Sequence, residues 1–184
     1  MRISFYVLIA LLSSMTGLFV ALPITVDASS GVSGSIRDGE VVASPSRLVI
    51  PSVGMNAVIE GVGINAKGEM AVPSGTTKLV GWYKDGVVPG QAGSAVMDAH
   101  VFAAFSKLKY LKPGADVYVI TANGSVLHFV VTLAQTFSLS ALSPQQLFRP
   151  TASADLNLIT CAGSLTSDHS TYDHRLVVYT TLVG

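Results

Sequence analysis

Short runs of apolar residues, separated by turn residues, fill the chain from Ser46 to its C-terminus. The runs are rich in Val, Ile, Leu and Thr, with Gly, Pro and Asn between them, which is typical of β-strands joined by tight turns. Many short strands with turn signals between them predict a mostly β barrel or sandwich. The predicted strands are "RLVI" (47–50), "NAVIE" (56–60), "SAVMDA" (94–99), "DVYVI" (116–120), "SVLHFVVTL" (125–133), "LNLITC" (156–161) and "RLVVYTTLV" (175–183).

The connections between these runs add a hairpin and two short helices. Asn123-Gly124 lies between two predicted strands and can take the positive φ angles of a tight hairpin turn. Residues 101–111 place an apolar residue at every third position, which predicts a short helix or 3-10 turn. Ser143-Pro144 has the N-cap and first-turn residues of a second helix. The folded part is therefore predicted to be mostly β with short helices.

The N-terminus contains the longest uncharged stretch. Ile3 to Val26 has no charged side chain, and a helix needs about 20 apolar residues to cross a bilayer. The stretch is longer than the apolar part of a signal peptide, so we favour an uncleaved anchor, with cleavage after "VDA", before Ser29, as the alternative. Arg2 at its start predicts an N-terminus inside the cell and a folded domain outside.

The chain is thus predicted to have three parts. Residues 1–26 are the membrane anchor of a single-pass protein. Residues 27–45 are rich in Ser, Gly and Asp, which predicts a flexible linker. Residues 46–184 form one domain of ordinary size.

The charges exclude some classes of partner. The 184 residues carry 11 basic and 11 acidic side chains and no basic run. Such a balance gives no electrostatic reason to expect a nucleic acid partner. The four histidines and the single cysteine lack the spacing of a zinc site, and acidic residues do not cluster. We therefore predict no metal site and no cofactor.

Cys161 is the only cysteine of a chain that is predicted to leave the cytoplasm. Exported domains use cysteines mainly in pairs, so three interpretations are open: a buried inert side chain, an intermolecular disulfide or a nucleophile. "LNLITC" places Cys161 at the end of an apolar strand, and the small residues "AGS" that follow indicate a loop. This position favours a reactive thiol, because a substrate reaches the end of a strand more easily than its middle.

A nucleophilic cysteine needs a proton partner, and acyl transfer needs a donor for the oxyanion. His100 is the histidine at a strand end, and the other three are interpreted as solvated residues of strands or loops. Arg175 opens the last predicted strand and would face Cys161 if the two strands pair as antiparallel neighbours. A solvated strand end is the alternative interpretation of Arg175.

Together these residues resemble the sortases, the membrane-anchored cysteine transpeptidases of Gram-positive cell surfaces. That family has a T-L-x-T-C strand, a Gly-His at an earlier strand end and an arginine that opens the following strand. The matching stretches here are "LNLITC", "AVMDAH" and "HRLVVY", and "GWY…PG…GS" with "TCAG" is most similar to the class F group. The resemblance implies a sortase-like eight-stranded β-barrel.

The resemblance also implies a role for single residues. Cys161 would attack the Thr–Gly amide of an LPxTG-like sorting signal and form a thioacyl intermediate. His100 would donate a proton to the leaving amine and accept one from the incoming nucleophile, and Arg175 would stabilise the oxyanion or hold the substrate. Thr160 and Ala162, on either side of the cysteine, would contact the substrate. An amine of a peptidoglycan precursor or of another protein would resolve the intermediate.

Three positions depart from the family pattern or bear on it. Ala99 stands where the family has Gly, so a positive φ there would be strained. Asn157 replaces the first Thr of the T-L-x-T-C strand. Asp98 is two residues from His100, and we expect it to favour the charged imidazolium, with exposure to solvent as the alternative.

Two other functions compete with the transpeptidase. A catalytically inactive, membrane-anchored barrel could act as a peptide-binding module, but it would have no need of Cys161, His100 and Arg175 together. An L,D-transpeptidase would carry its cysteine in an S-H-G-C-like setting, which "LITC" does not match.

Overall fold

The computed structural model describes residues 35–37, 40–74 and 77–184. Two short strands come first and pair with each other as an antiparallel ladder. The following eight strands close into a barrel, which confirms the predicted architecture. In chain order the strands are β1 (Ser35–Arg37), β2 (Glu40–Val42), β3 (Pro45–Ile50), β4 (Met55–Val62), β5 (Val80–Tyr83), β6 (Gly93–Asp98), β7 (Asp116–Thr121), β8 (Val126–Ser138), β9 (Ala154–Leu165) and β10 (Tyr172–Leu182).

The barrel has the strand order β10-β8-β7-β3-β4-β5-β6-β9, with β10 and β9 closing the ring. Most neighbours are antiparallel, but β4 pairs with β5, and β6 with β9, as parallel strands. Because β6 and β9 are parallel, their C-terminal ends lie at the same edge of the barrel. The residues that follow Asp98 and those around Cys161 therefore lie side by side.

Short helices occupy the connections, as predicted. One α-helix, α1 (Pro144–Leu147), has Ser143 as N-cap. The backbone N–H of Ser143 donates to Gln146 Oε1 at 2.6 Å. A 3-10 helix covers Leu108–Tyr110, and residues 101–107 before it form turns. The three-residue spacing buries Phe105, Leu108 and Leu111 but leaves Phe102 60% exposed.

The predicted hairpin joins β7 to β8, with a turn that differs in detail. Gly124 has a φ of +87°, whereas Asn123 stays in the ordinary negative region. The Asn123 side chain instead accepts hydrogen bonds from the Thr121 hydroxyl at 2.5 Å and the Ser125 N–H at 3.2 Å. These bonds stabilise the turn without a second positive φ.

β9 and β10 are buried on both faces in the middle of the barrel. Leu158 packs in the barrel interior, while Ile159 on the opposite face packs with Leu147 of α1 in a second apolar cluster. A strand covered on both faces has a continuous apolar run. The cover ends before Cys161 and Arg175, which are partly exposed.

The structure adds strands that the sequence pattern did not predict. β5, "VGWY", is short and contains a glycine, and it is held by parallel pairing to β4. β1 and β2 form a ladder within residues 27–45, which were predicted to be a flexible linker.

The predicted anchor, residues 1–26, lies outside the described residues. Within 35–37, 40–74 and 77–184, no helix is long and apolar enough to cross a membrane.

Candidate active site

A groove of about 800 Å³ lies on the outer face of the barrel, over β6, β9 and β10. Its apolar floor is made by Val96 and Ile159, and α1 forms one wall. Tyr83 and Phe148 meet edge to face at 5.5 Å beside that wall. The charged side chains of the lining are Glu69, Asp98 and Arg175.

Cys161 and Arg175 are direct partners across β9 and β10. The antiparallel pairing confirms the predicted juxtaposition, but β9 continues to Leu165, so the prediction that Cys161 ends its strand was wrong. The Arg175 guanidinium donates from Nη1 to the carbonyls of Tyr172 and His174, at 3.0 and 2.9 Å, and from Nη2 to the Thr171 hydroxyl at 3.1 Å. A guanidinium has five N–H donors, so Nε–H and one N–H of Nη2 have no partner among the described residues.

The Asp98 carboxyl is partly buried in the groove, at the end of β6. Burial raises its pKa from 3.8 to about 7, and the Arg175 charge and the Ala99 N–H oppose that rise. No ion pair joins Asp98 to Arg175 or to His100 in the part of the chain that the structure describes. β6 ends at Asp98, so strand alternation does not extend to His100. Asp98 was expected to stabilise the charged imidazolium, but no hydrogen bond or ion pair joins the two side chains among the described residues.

The Cys161 thiol is half-buried, and burial raises its pKa. Arg175 lowers the pKa of the thiol and Asp98 raises it. The resting side chain is therefore a protonated thiol at neutral pH, and its deprotonation requires a base or a bound substrate that changes its surroundings.

His100 follows the end of β6, the parallel neighbour of the strand that carries Cys161. Thr160 Oγ1 donates to the Ala99 carbonyl at 2.7 Å, which ties the residues just before His100 and Cys161 together. The imidazole Nε2 bonds to the Pro73 carbonyl at 3.0 Å, and the ring stacks on Phe102 at 4.8 Å. Within the described residues no hydrogen bond joins His100 to Cys161.

A smaller cavity of about 260 Å³ opens beside Cys161. Thr160 and Ala162, the predicted substrate contacts, line it together with aromatic residues. The Thr160 hydroxyl is buried and committed to the Ala99 carbonyl, so its side chain holds β6 and β9 together. Cys161 lines this cavity, whereas its strand partner Arg175 lines the groove.

Ala99 fits the site without backbone strain. It does not have a positive φ, and its side chain is buried in the barrel core. The glycine of the family is not required at this position, because the methyl group is accommodated in the interior.

Gly163 is a site residue that the sequence pattern did not identify. Its φ is +79°, and a Cβ there would collide with Asp173 Oδ1 and lie 2.7 Å from His174 Nδ1. Asp173 accepts hydrogen bonds from the Ser164 N–H and from His174 Nδ1, at 2.8 and 2.7 Å. This arrangement shapes the bulge of β10 between Tyr172 and His174, next to the pair of Cys161 and Arg175. The small run "AGS" was the available signal.

Asn157 also has a role that the sequence did not indicate. It is buried, and its Nδ2 donates to the Leu147 carbonyl of α1 at 2.6 Å, while its Oδ1 has no partner among the residues that the structure describes. The side chain therefore connects α1, the wall of the groove, to β9, which is part of its floor. A threonine would be too short to make this bond.

The chain was compared with known families and solved structures. The family model described as "Sortase domain" matches residues 48–183. No curated protein matches the chain by sequence.

Several solved sortases have a similar fold, and three of them are described here. Sortase C1 of Streptococcus agalactiae has a TM-score of 0.57 and 17% identity, over 76% of this chain and 66% of that one. Sortase C-1 of Actinomyces oris has a TM-score of 0.58 and 23% identity, over 76% and 71% of the two chains. Sortase A of Listeria monocytogenes has a TM-score of 0.56 and 20% identity, over 78% and 89%.

The identities are low, so these structures establish the fold alone. This chain covers just under two thirds of the Streptococcus agalactiae protein. The family model, in contrast, spans most of the chain and includes β9 and β10 with Cys161 and Arg175. The chain belongs to the sortase family.

Proposed function

We propose that the chain is a cysteine transpeptidase that cleaves an LPxTG-like sorting signal between Thr and Gly and transfers the protein to an amine acceptor of the cell wall. One observation carries this proposal: Cys161 pairs directly with Arg175, and Arg175 lines a groove with an apolar floor. A groove of this kind suits an extended peptide, and the pair supplies a nucleophile and hydrogen-bond donors.

The free donors of Arg175 support an acyl transfer. Three of its N–H groups donate to the first residues of β10 and to Thr171 just before it, and so orient the guanidinium. The remaining donors can bind the oxyanion that forms when the Cys161 thiolate attacks the Thr carbonyl carbon. Such a fixed donor stabilises the transition state without reorganisation.

His100 can carry the proton. A carbonyl only accepts hydrogen bonds, so the Nε2 that bonds Pro73 holds the proton, and Nδ1 is the free nitrogen of the neutral ring. Nδ1 would take the thiol proton and pass it to the Gly nitrogen as the C–N bond breaks. It would then take a proton from the incoming amine and return it to Cys161 as the thioester breaks.

A second candidate is a peptide-binding module without turnover. It is favoured by two observations: His100 bonds to Pro73 and not to Cys161, and the pKa of the thiol is raised. The two candidates differ in whether an acyl enzyme ever forms.

The test uses the purified full-length chain with a fluorogenic LPxTG-type peptide library and an amine acceptor. We expect cleavage at the Thr–Gly bond, a thioacyl adduct of matching mass on Cys161, and neither in Cys161→Ala. Peptide binding without an adduct at any pH from 6 to 9 would contradict the transpeptidase and support the binding module.

The class F subtype rests on "GWY…PG…GS" and "TCAG" alone. The solved neighbours described above are named sortases A and C. We infer a class F enzyme from the sequence pattern, and the signal selected from the peptide library is the property to compare with each class.

We also propose that residues 1–26 anchor the protein in the cell membrane with the barrel outside. The uncharged stretch after Arg2 supports this topology. The full chain should sediment with membranes, and deletion of residues 3–26 should release it. A protease added to intact cells should remove the barrel, and a protected barrel would contradict the proposal.

A further inference from the structure

Asp98 is a carboxyl that faces the groove without an ion-pair partner. Val96 and Ile159 make the groove floor apolar on its strand and on the neighbouring one. Arg175 is close enough to affect its pKa, but the guanidinium bonds to the β9–β10 connection. The described residues offer Asp98 no side-chain donor, so the carboxyl is free to bind a ligand.

The strand register places Asp98 at a defined distance from the nucleophile. Asp98 pairs with Ile159, two residues before Cys161 on β9. Two strand residues span about 7 Å, and an extended peptide acylated at Cys161 covers that distance in two residues. Asp98 therefore lies beside the one or two residues that precede the acylated Thr.

The sorting signal leaves one of these residues variable. In an LPxTG-like peptide the residue two before Thr is proline, whose side chain has no donor or charge. The residue directly before Thr is the variable position x. Only this side chain could respond to a carboxyl at that place in the groove.

The charges of the groove favour a basic side chain there. The charged and titratable side chains that line the groove with Asp98 are Arg175 of β10, Glu69 of the β4–β5 connection and Tyr83 of β5. Cys161 is close enough for the Asp98 charge to affect its pKa. Arg175 is the single strong base of the lining, and two carboxyls oppose it. An acidic x would add a third negative charge to the groove, whereas a basic x would form an ion pair with the Asp98 carboxylate, which has no other ion-pair partner among the described residues.

We propose that Asp98 is a specificity-determining residue that selects sorting signals with Lys or Arg at x over those with Asp or Glu. The inference rests on the proposed function, because it assumes a peptide acylated at Cys161.

The selection should depend on pH. Burial raises the pKa of Asp98 to about 7, so the carboxylate forms as the pH rises from about 6 to 8. Lys and Glu side chains of a peptide keep their charges over that range. The preference for Lys over Glu therefore increases with pH, through the charge of Asp98 alone.

The experiment compares the peptides LPKTG, LPQTG and LPETG on the full-length chain and on Asp98→Asn. The readout is the ratio of kcat/KM for the Lys peptide to that for the Glu peptide, in which any effect on the thiol cancels. We expect a ratio of about tenfold at pH 8, a smaller ratio at pH 6, and a ratio of about one for Asp98→Asn at both. Glu60→Gln on β4, outside the groove lining, is the control and should keep the preference.

Equal ratios in the wild type and Asp98→Asn, or a ratio that does not change with pH in the wild type, would overturn the proposal. If no peptide is cleaved, the transpeptidase fails, and the specificity is read from the affinities of Cys161→Ala and the Cys161→Ala/Asp98→Asn double variant. Tighter binding of the Lys peptide that depends on Asp98 would support the inference, and equal affinities would overturn it.

Discussion

Cys161 lies between two side chains of opposite charge. Arg175 pairs with it across the strands and stabilises a thiolate, while the Asp98 carboxylate destabilises one. Burial adds to the effect of Asp98, so the pKa of the thiol is raised overall. The reactivity of the cysteine therefore depends on which of the two neighbours is changed.

Two substitutions should change this reactivity in opposite directions. Asp98→Asn removes a negative charge, so it lowers the pKa of the thiol and speeds alkylation by iodoacetamide at pH 8, by about two- to fivefold. Arg175→Gln removes the positive charge and slows the reaction. The label is specific because the chain has one cysteine. Glu60→Gln on β4 is the control, and a change of the same sign in both variants would contradict the electrostatic explanation.

Gly163 is required by the space as well as by its backbone angle. In Gly163→Ala the methyl group would collide with Asp173 and displace the bulge that positions Arg175. We expect a loss of ~1–3 kcal/mol in the free energy of unfolding and at least about tenfold in kcat/KM.

Gly114→Ala is the matched control for this prediction. Gly114 has a similar φ of +88°, but nothing lies within 4 Å of its added Cβ. Gly114→Ala introduces a similar backbone strain but no collision, so the activity of this variant should stay near that of the wild type. Equal losses of activity in the two variants would show that the bulge has no role.

At the scale of elements, the groove depends on how α1 is attached to the barrel. The buried Asn157 holds the Leu147 carbonyl, and Phe148 packs on Tyr83 of β5. α1 is four residues long, too short to be stable by itself. Its position is therefore set by these contacts and by the apolar cluster below it.

Asn157→Ala should loosen this wall. It removes the bond to Leu147, at a cost of ~1–2 kcal/mol in the free energy of unfolding. The KM for a sorting-signal peptide should rise severalfold with little change in kcat, because Cys161 and Arg175 stay paired.

Asn56→Ala provides the comparison. Asn56 is exposed on β4 and binds Arg47 at 2.7 Å, away from the groove. Its loss should leave KM unchanged. An unchanged KM in Asn157→Ala as well would mean that the wall does not contribute to peptide binding.

At the scale of the whole molecule, closure of the barrel buries Asp98 and couples its charge to folding. The pKa of its carboxyl is about 7 in the folded protein and 3.8 as the ordinary value. Between these pH values the folded state binds a proton that the unfolded state has lost. The free energy of unfolding therefore falls as the pH rises from about 4 to 7, and levels off above.

Asp98→Asn should remove this dependence. Relative to the variant, the wild type should lose on the order of 2–4 kcal/mol of unfolding free energy between pH 4 and 7. Urea unfolding at several pH values measures the difference. Parallel curves for the two proteins would mean that Asp98 is hydrated in the folded state.

The strand pattern and the pairing of Cys161 with Arg175 could be predicted from the sequence. Both depend on local signals: β-prone runs, turn residues, and a connection that returns the chain as an antiparallel neighbour. The N-cap of α1 and the β7–β8 hairpin depend on adjacent residues in the same way. Such features are determined by the sequence alone, because the interacting residues are near one another along the chain.

The surroundings of the site were decided by the tertiary structure. β5 is held by a parallel partner, and His100 by the Pro73 carbonyl, 27 residues away. Asn157 is held by the Leu147 carbonyl, which is only 10 residues away but belongs to a helix whose position the barrel sets. Strand alternation could not show whether Asp98 meets His100, solvent or the groove, because that depends on which segments cover the strand. The sequence by itself determined that Cys161 and Arg175 are paired, because their strands are joined by one short connection. Barrel closure decided the burial and the partners of Asp98, Cys161 and His100, since these arise from contacts between segments that other elements bring together.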